Sequence, residues 1–164
     1  MILTKGLRDI NLKIFQKKNI FSLIVIIFTF SIDRISKIKI LENLSENNFY
    51  VNEYVNLNLI WNTGIGFGLL SWDNSIVYNL TTTIIGLVII MLLYFLLISK
   101  KFDRISLSLI IGGALGNFYD RISFKAVPDF IDIHYGNFHW FTFNCADIFI
   151  TVGIIFFILG DFKK

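Results

Sequence analysis

Proline, cysteine and histidine are almost absent from this chain, and charge is sparse. Its 164 residues include one Pro, one Cys and two His, and Asp, Glu, Lys and Arg together make up 16 %. The lone Cys145 excludes an internal disulfide and any metal site built from cysteines alone. His134 and His139 belong to neither an H-E-x-x-H pattern nor a Cys/His set with ligand spacing, which argues against zinc catalysis. The glycines at 64, 66 and 68 are not followed by Lys-Ser/Thr, so they do not form a phosphate loop. The apolar run that starts at Asn19 passes into polar residues without a small-residue cleavage pattern, so it reads as retained rather than as a removable signal.

What remains is strongly apolar. Hydrophobic residues make up 55 % of the chain, 18 of them Phe, which leaves too little polar surface for a soluble domain of this size. The length suits one domain, and the composition suits a single integral membrane domain over 1–164. The net charge of +3 is modest and the basic residues cluster at the ends of apolar runs, which favours membrane topology over nucleic-acid binding.

The apolar pattern predicts four spans, at about 19–40, 74–99, 104–120 and 144–161. A helix needs roughly 20 residues to cross the hydrocarbon layer, and the uncharged cores of the first, third and fourth runs fall short of that. Polar residues therefore lie at the edge of the apolar zone in three of the four helices. Lys5, Arg8, Lys13, Lys17, Lys18, Lys100, Lys101, Arg104, Lys163 and Lys164 all fall in segments that alternate onto one side. The positive-inside rule makes that side cytoplasmic, with both termini inside and segments 41–73 and 121–143 outside. Asp33 and Lys37, then Asn117, Asp120 and Arg121, then Asn144 and Asp147 are thereby brought to one outer boundary. Ionisable groups at such a depth are costly and mark a site.

The outer segments read as β-structure. Alternation from Val51 to Trp61 predicts a strand with one wet face. Residues 129–143 predict a hairpin turning at Tyr135-Gly136-Asn137, with Phe130, Phe138, Trp140, Phe141 and Phe143 at the bilayer interface. The expected architecture is thus a four-helix membrane protein with a small sheet over the outer helix ends.

Chemistry at that boundary is narrowed by elimination. Ser31, Ser36 and Ser71 have no evident base, and adjacent Ser36 and Lys37 lie on different helix faces. Cys145 with His134 or His139 would make a thiol protease, but a lone Cys among apolar neighbours reads as packing. Carboxylates remain: Asp33, Asp120, Asp129, Asp132 and Asp147. Two carboxyls sharing a site do not both ionise easily, which suits peptide hydrolysis. The same acidic cluster would also serve a cation channel or transporter subunit. An enzyme acting on phospholipid head groups is disfavoured by the lack of an acidic metal-binding array. Periodicity alone does not select the pair.

Five motifs occur in order: Asp33-Arg34-Ile35-Ser36-Lys37, Asn62-Thr63-Gly64-Ile65-Gly66-Phe67, Gly112 through Arg121 (GGALGNFYDR), Val127-Pro128-Asp129-Phe130-Ile131, and Phe143-Asn144-Cys145-Ala146-Asp147. Together they resemble the lipoprotein signal peptidase (signal peptidase II) family, over about Ser31 to Gly153. The resemblance implies an aspartic endopeptidase of the bacterial cytoplasmic membrane with catalytic Asp129 and Asp147. It gives Asp33, Lys37, Asn62, Gly64, Gly113, Asn117, Arg121, Asn144 and Ala146 supporting or substrate-holding places. Asp120 is expected to orient Arg121, and Lys37 to cap the first span or pair with Asp33. Asp132 falls outside the pattern and reads as an exposed strand residue. No metal or organic cofactor is implied. The implied partners are diacylglyceryl-modified prolipoproteins, cleaved just before the lipidated cysteine, and membrane phospholipid. Peptide antibiotics such as globomycin are expected to bind the two aspartates.

Overall fold

A computed structural model describes residues 17–43, 49–64, 75–99 and 101–161. Lys5, Arg8, Lys13, Gly66, Phe67, Ser71, Lys100, Lys163 and Lys164 lie outside the described residues. Each predicted apolar run is helical: α1 Lys17–Asn43, α2 Ser75–Ile98, α3 Lys101–Phe124 and α4 Cys145–Asp161. Among the described residues, Lys17–Asn43 and Ile76–Ile98 are long and apolar enough to cross a membrane, and Cys145–Gly160 is a shorter apolar helix. Ser106, Ser108, Asn117, Asp120 and Arg121 dilute the apolar character of α3.

That dilution follows from position. α3 packs against α1, α2 and α4, so it is the central helix, and much of its surface as far as Asn117 faces protein. Ile111 is fully buried and sits with Ile26, Leu96 and Leu107 in an apolar core that Leu92, Leu115 and Phe157 extend. On α2, by contrast, Ile76, Leu80, Ile84, Leu87, Ile90 and Leu97 are all exposed. A helix that is apolar all round, with its apolar side chains outward, suits lipid.

Arg104 fixes one end of the bundle. Its Nη1 donates to the Leu96 carbonyl at 2.5 Å, and its Nη2 donates to Asn19 Oδ1 at 2.5 Å and to Ser22 Oγ at 3.2 Å. The start of α1, the end of α2 and the start of α3 therefore meet at this basic end. α3 stops at Phe124, after which Lys125 takes a left-handed conformation (φ 54°) that turns the chain towards the sheet.

The sheet stands at the opposite end of α3. Four antiparallel strands, β1 Phe49–Asn52, β2 Val55–Asn62, β3 Val127–Tyr135 and β4 Phe138–Phe143, lie in chain order. The predicted single strand over 51–61 is two strands. Asn52 Oδ1 accepts from the backbone N–H groups of Tyr54 (2.8 Å) and Val55 (2.9 Å), and this side-chain turn breaks the run. The 129–143 hairpin forms as expected, with Gly136 at φ 57° in its turn. Phe138, Trp140 and Phe141 are exposed on it, but Phe130 is only 4 % exposed and belongs to the interior. An extra residue on β2 interrupts its pairing with β3 between Leu57 and Ile60, beside Asp129. A bulge at such a place re-aims a neighbouring side chain.

Candidate active site

The start of α4 explains much of the site. Asn144 precedes the helix, and its Oδ1 accepts from the Asp147 N–H at 3.1 Å while Asp147 Oδ2 accepts from the Asn144 N–H at 3.1 Å. This reciprocal capping box satisfies two N–H groups that a helix start otherwise leaves free. It also fixes the Asn144 amide so that Nδ2 points away from α4. That Nδ2 donates to Asp129 Oδ1 at 2.5 Å, so one side chain bridges Asp147 and Asp129.

Each aspartate then receives a second amide. Asn62 Nδ2, at the end of β2, donates to Asp129 Oδ2 at 2.8 Å, and Asn62 Oδ1 accepts from the Gly64 N–H at 2.8 Å. Asn117 Nδ2, on α3, donates to Asp147 Oδ1 at 2.8 Å. Asp129 is 3 % exposed and Asp147 is half-buried. Burial, reinforced by the nearby Asp147 charge, raises the Asp129 carboxyl from its ordinary 3.8 to about 6, and its hydrogen bonds from Asn62 and Asn144 oppose the rise. Two acidic groups are thus held close by neutral amides, with one poised to carry a proton near neutral pH.

Behind this pair lies an ionic cluster. Lys37 Nζ, with a fully buried side chain, donates to Asp33 Oδ2 at 2.9 Å, Asn117 Oδ1 at 2.8 Å and Asp120 Oδ2 at 2.7 Å. Its three donors are all used. Arg34 pairs with the other Asp120 oxygen and lies 4.7 Å from the Tyr119 ring centre. Asp33 Oδ1 accepts from the Ala146 N–H at 3.0 Å, so α1 also helps cap α4.

Close backbone approach makes these contacts reachable. A Cβ on Gly113 would lie 2.5 Å from the Ala146 carbonyl, and one on Gly116 would meet the Asp33 carboxylate. Arg121 Nη2 donates to the Gly64 carbonyl at 3.1 Å and its Nη1 to the Asn117 carbonyl at 3.0 Å, tying the loop after β2 to α3.

All twelve residues singled out from the sequence converge here, two of them in other roles than expected, and Asp132 also departs from its expected exposure. Asp120 has Lys37 and Arg34 of α1 as its direct partners rather than Arg121, because successive helix residues point about 100° apart. Lys37 does more than pair with Asp33, since it joins Asp33, Asp120 and Asn117. Asp132 is 2 % exposed rather than exposed, with hydrogen bonds to Asn58 and His139. The sequence reading also gave Arg34 and Tyr78 no role. The Tyr78 hydroxyl donates to the Arg121 carbonyl at 3.1 Å, a contact that no spacing in the chain signals.

Comparison with known proteins follows the same lines. A family model described as Signal peptidase (SPase) II matches residues 25–163. The lipoprotein signal peptidase of Pelagibacter ubique is 47 % identical over 158 residues, covering 94 % of this chain and 93 % of that protein. The lipoprotein signal peptidase of Anaplasma phagocytophilum is 41 % identical over 153 residues, covering 91 % and 96 %. Two solved structures, each described as a bacterial membrane enzyme, share the fold. One has a TM-score of 0.73 at 31 % identity, covering 87 % of this chain and 88 % of its own. The other has 0.72 at 29 %, covering 88 % and 94 %.

Proposed function

Because the chain belongs to the signal peptidase II family, we propose that it removes signal peptides from diacylglyceryl-modified prolipoproteins, using Asp129 and Asp147 as an aspartic dyad. The observation that carries this reading is Asn144, which bonds to both carboxylates at once, to Asp147 through its backbone N–H in the capping box and to Asp129 through its side-chain amide.

The chemistry follows from that arrangement. A water between the two carboxyls loses a proton to the ionised member and attacks the scissile carbonyl. The protonated member donates a hydrogen bond to the carbonyl oxygen, stabilising the tetrahedral intermediate. The proton taken from water then passes to the leaving amine as the C–N bond breaks. One proton is shared throughout, so the titration belongs to the pair. Asn62, Asn117 and Asn144 orient the carboxylates without adding charge. Arg121 holds Gly64, beside the Asn62 that orients Asp129. The ionic cluster of Asp33, Lys37 and Asp120 keeps α1, α3 and the start of α4 in register.

All four helices cross the bilayer in this reading, α3 and α4 included. Their polar ends are sheltered by protein rather than lipid, which lowers the cost of charge at that depth. Basic Lys17, Lys18, Lys101 and Arg104 mark the cytoplasmic end, and the two aspartates lie at the outer face of the bacterial inner membrane. There a lipid-anchored peptide bond reaches water, with the diacylglycerol chains among membrane phospholipid and the cut just before the lipidated cysteine. Globomycin-type peptides would occupy the same two carboxylates.

The test is incubation of the purified protein with a diacylglyceryl-modified precursor, followed by mass measurement of the products. The expected result is release of an intact signal peptide and a product beginning at the lipidated cysteine. Cleavage at another bond, or undiminished cleavage by a correctly inserted Asp129→Asn, Asp147→Asn double variant, would sink the proposal.

A further inference from the structure

We propose that Asp132, His134 and His139 form a binding site for a borderline divalent cation such as Zn2+ on the β3–β4 hairpin, separate from the two aspartates of the active site. The inference does not depend on the peptidase reading. Sequence spacing alone argues against a metal, because these residues fit no helical or Cys/His ligand pattern. Strand register changes that. His134 pairs opposite His139, and an extra residue on β4 shifts the register between this pair and Asp132. The two rings stack with centroids 5.2 Å apart and planes 21° from parallel. His139 Nδ1 lies 2.8 Å from Asp132 Oδ2. One potential ligand atom from each of the three residues lies within 4.8 Å of the other two.

Two further observations point to a ligand rather than to a plain Asp–His pair. His134 Nδ1 is buried and has no hydrogen-bond partner, as are the side-chain oxygens of Asn56 and Asn58 on the neighbouring strand. A buried polar atom left unpaired is costly, and native structures hold few of them. Among the described residues, moreover, no Lys or Arg forms an ion pair with the buried Asp132 carboxylate. A dication would answer both. Asn58 Nδ2 donates to Asp132 Oδ2 at 3.1 Å and orients that carboxylate, as outer partners of metal ligands do.

The donor set selects the ion. Two imidazoles and one carboxylate suit Zn2+ and its neighbours, whereas Ca2+ and Mg2+ require mostly oxygen ligands. Zn–N and Zn–O bonds of about 2.0–2.2 Å put tetrahedral ligands about 3.3 Å apart. The His139 side chain is 54 % exposed, which gives the ion a route in. Bound there, the metal would clamp β3 to β4.

The test uses the full-length protein in detergent, stripped with chelator and titrated with ZnCl2 by calorimetry. One Zn2+ per chain is expected, with a rise in melting temperature. His134→Phe keeps the stacked ring and leaves the Asp132–His139 contact alone, yet it should weaken Zn2+ binding at least about tenfold, since even outer-partner changes cost that much. Co2+ in place of Zn2+ should give visible absorption bands that His134→Phe abolishes. If His134→Phe fails to fold, His139→Asn serves in its place, read by the same two signals. Absence of Zn2+ binding to the stripped protein, or binding equally tight in these variants, would overturn the proposal.

Discussion

Two buried acidic clusters stand side by side in this protein, and they are held in opposite ways. Asp33 and Asp120 meet cations: Lys37 bonds to both, and Arg34 pairs with Asp120. Among the described residues, Asp129 and Asp147 receive only neutral donors in direct contact, namely the amides of Asn62, Asn117 and Asn144 and one backbone N–H. Buried carboxylates next to cations have their charge balanced in place, and such a cluster serves as structure. Carboxylates oriented by amides keep their geometry while remaining able to exchange a proton. Asn117 joins the two, accepting from Lys37 through its oxygen and donating to Asp147 through its nitrogen. The difference supplies a physical reason, beyond resemblance, for preferring Asp129 and Asp147 to Asp33 and Asp120.

If that contrast is right, the same substitution must have different consequences in the two clusters. Asp129→Asn or Asp147→Asn should lower turnover of a lipid-modified precursor by about a thousandfold or more, without a loss of melting temperature to match. Asp120→Asn should act chiefly on stability. A larger stability effect comes from the cation. Lys37→Met leaves Asp33 and Asp120 buried without their shared partner, and breaking a buried pair in this way costs about 3–5 kcal/mol. Denaturant or thermal unfolding in detergent reads this directly. A Lys37→Met protein as stable as wild type would erase the distinction between the clusters.

Asn144 sharpens the comparison, because it is both helix cap and bridge. Asn144→Ala removes both functions and should cost about 1 kcal/mol of stability, together with much of the activity. Asn144→Asp preserves a capping oxygen but replaces the donor to Asp129 with a third carboxylate. Stability should recover while precursor cleavage does not. Recovery of both would mean that the Asn144–Asp129 bond is irrelevant to turnover.

Much of this was legible in the chain, for identifiable reasons. Helices on an apolar background announce themselves by composition, and the Asn144-to-Asp147 spacing is a capping pattern visible in sequence. The short uncharged cores of three runs foretold that polar ends would gather. What stayed hidden depended on register and on faces meeting across elements. Asp120 turns towards α1 rather than towards Arg121, its neighbour in sequence. Asp132 looks like an exposed strand position until the bulged pairing of β3 with β4 sets His139 beside it. The Asn52 turn likewise split one alternating run into two strands, because alternation carries no signal for where a strand reverses.

The last effect concerns pH: burial sets its sign, and the Asn62 amide opposes it. Asp129 titrates at about 6 against an ordinary 3.8, so between these values the folded protein holds a proton that the unfolded chain releases. Stability from this group is therefore complete below about 3.8 and is lost as pH rises through about 6. Asp129→Asn should flatten that part of the melting-temperature profile. Asn62 donates to the ionised carboxylate and so lowers its pKa. Asn62→Ala removes a bond to a charged group worth about 1.5–3 kcal/mol, which corresponds to about one to two pH units. The alkaline-side limb of the activity profile, where the pair gives up its shared proton, should move upward by that amount. Initial rates of precursor cleavage between mildly acidic and mildly alkaline pH measure it. A limb that stays in place or moves down would show that the Asn62 bond does not tune Asp129, and that amides and cations hold their aspartates to the same end.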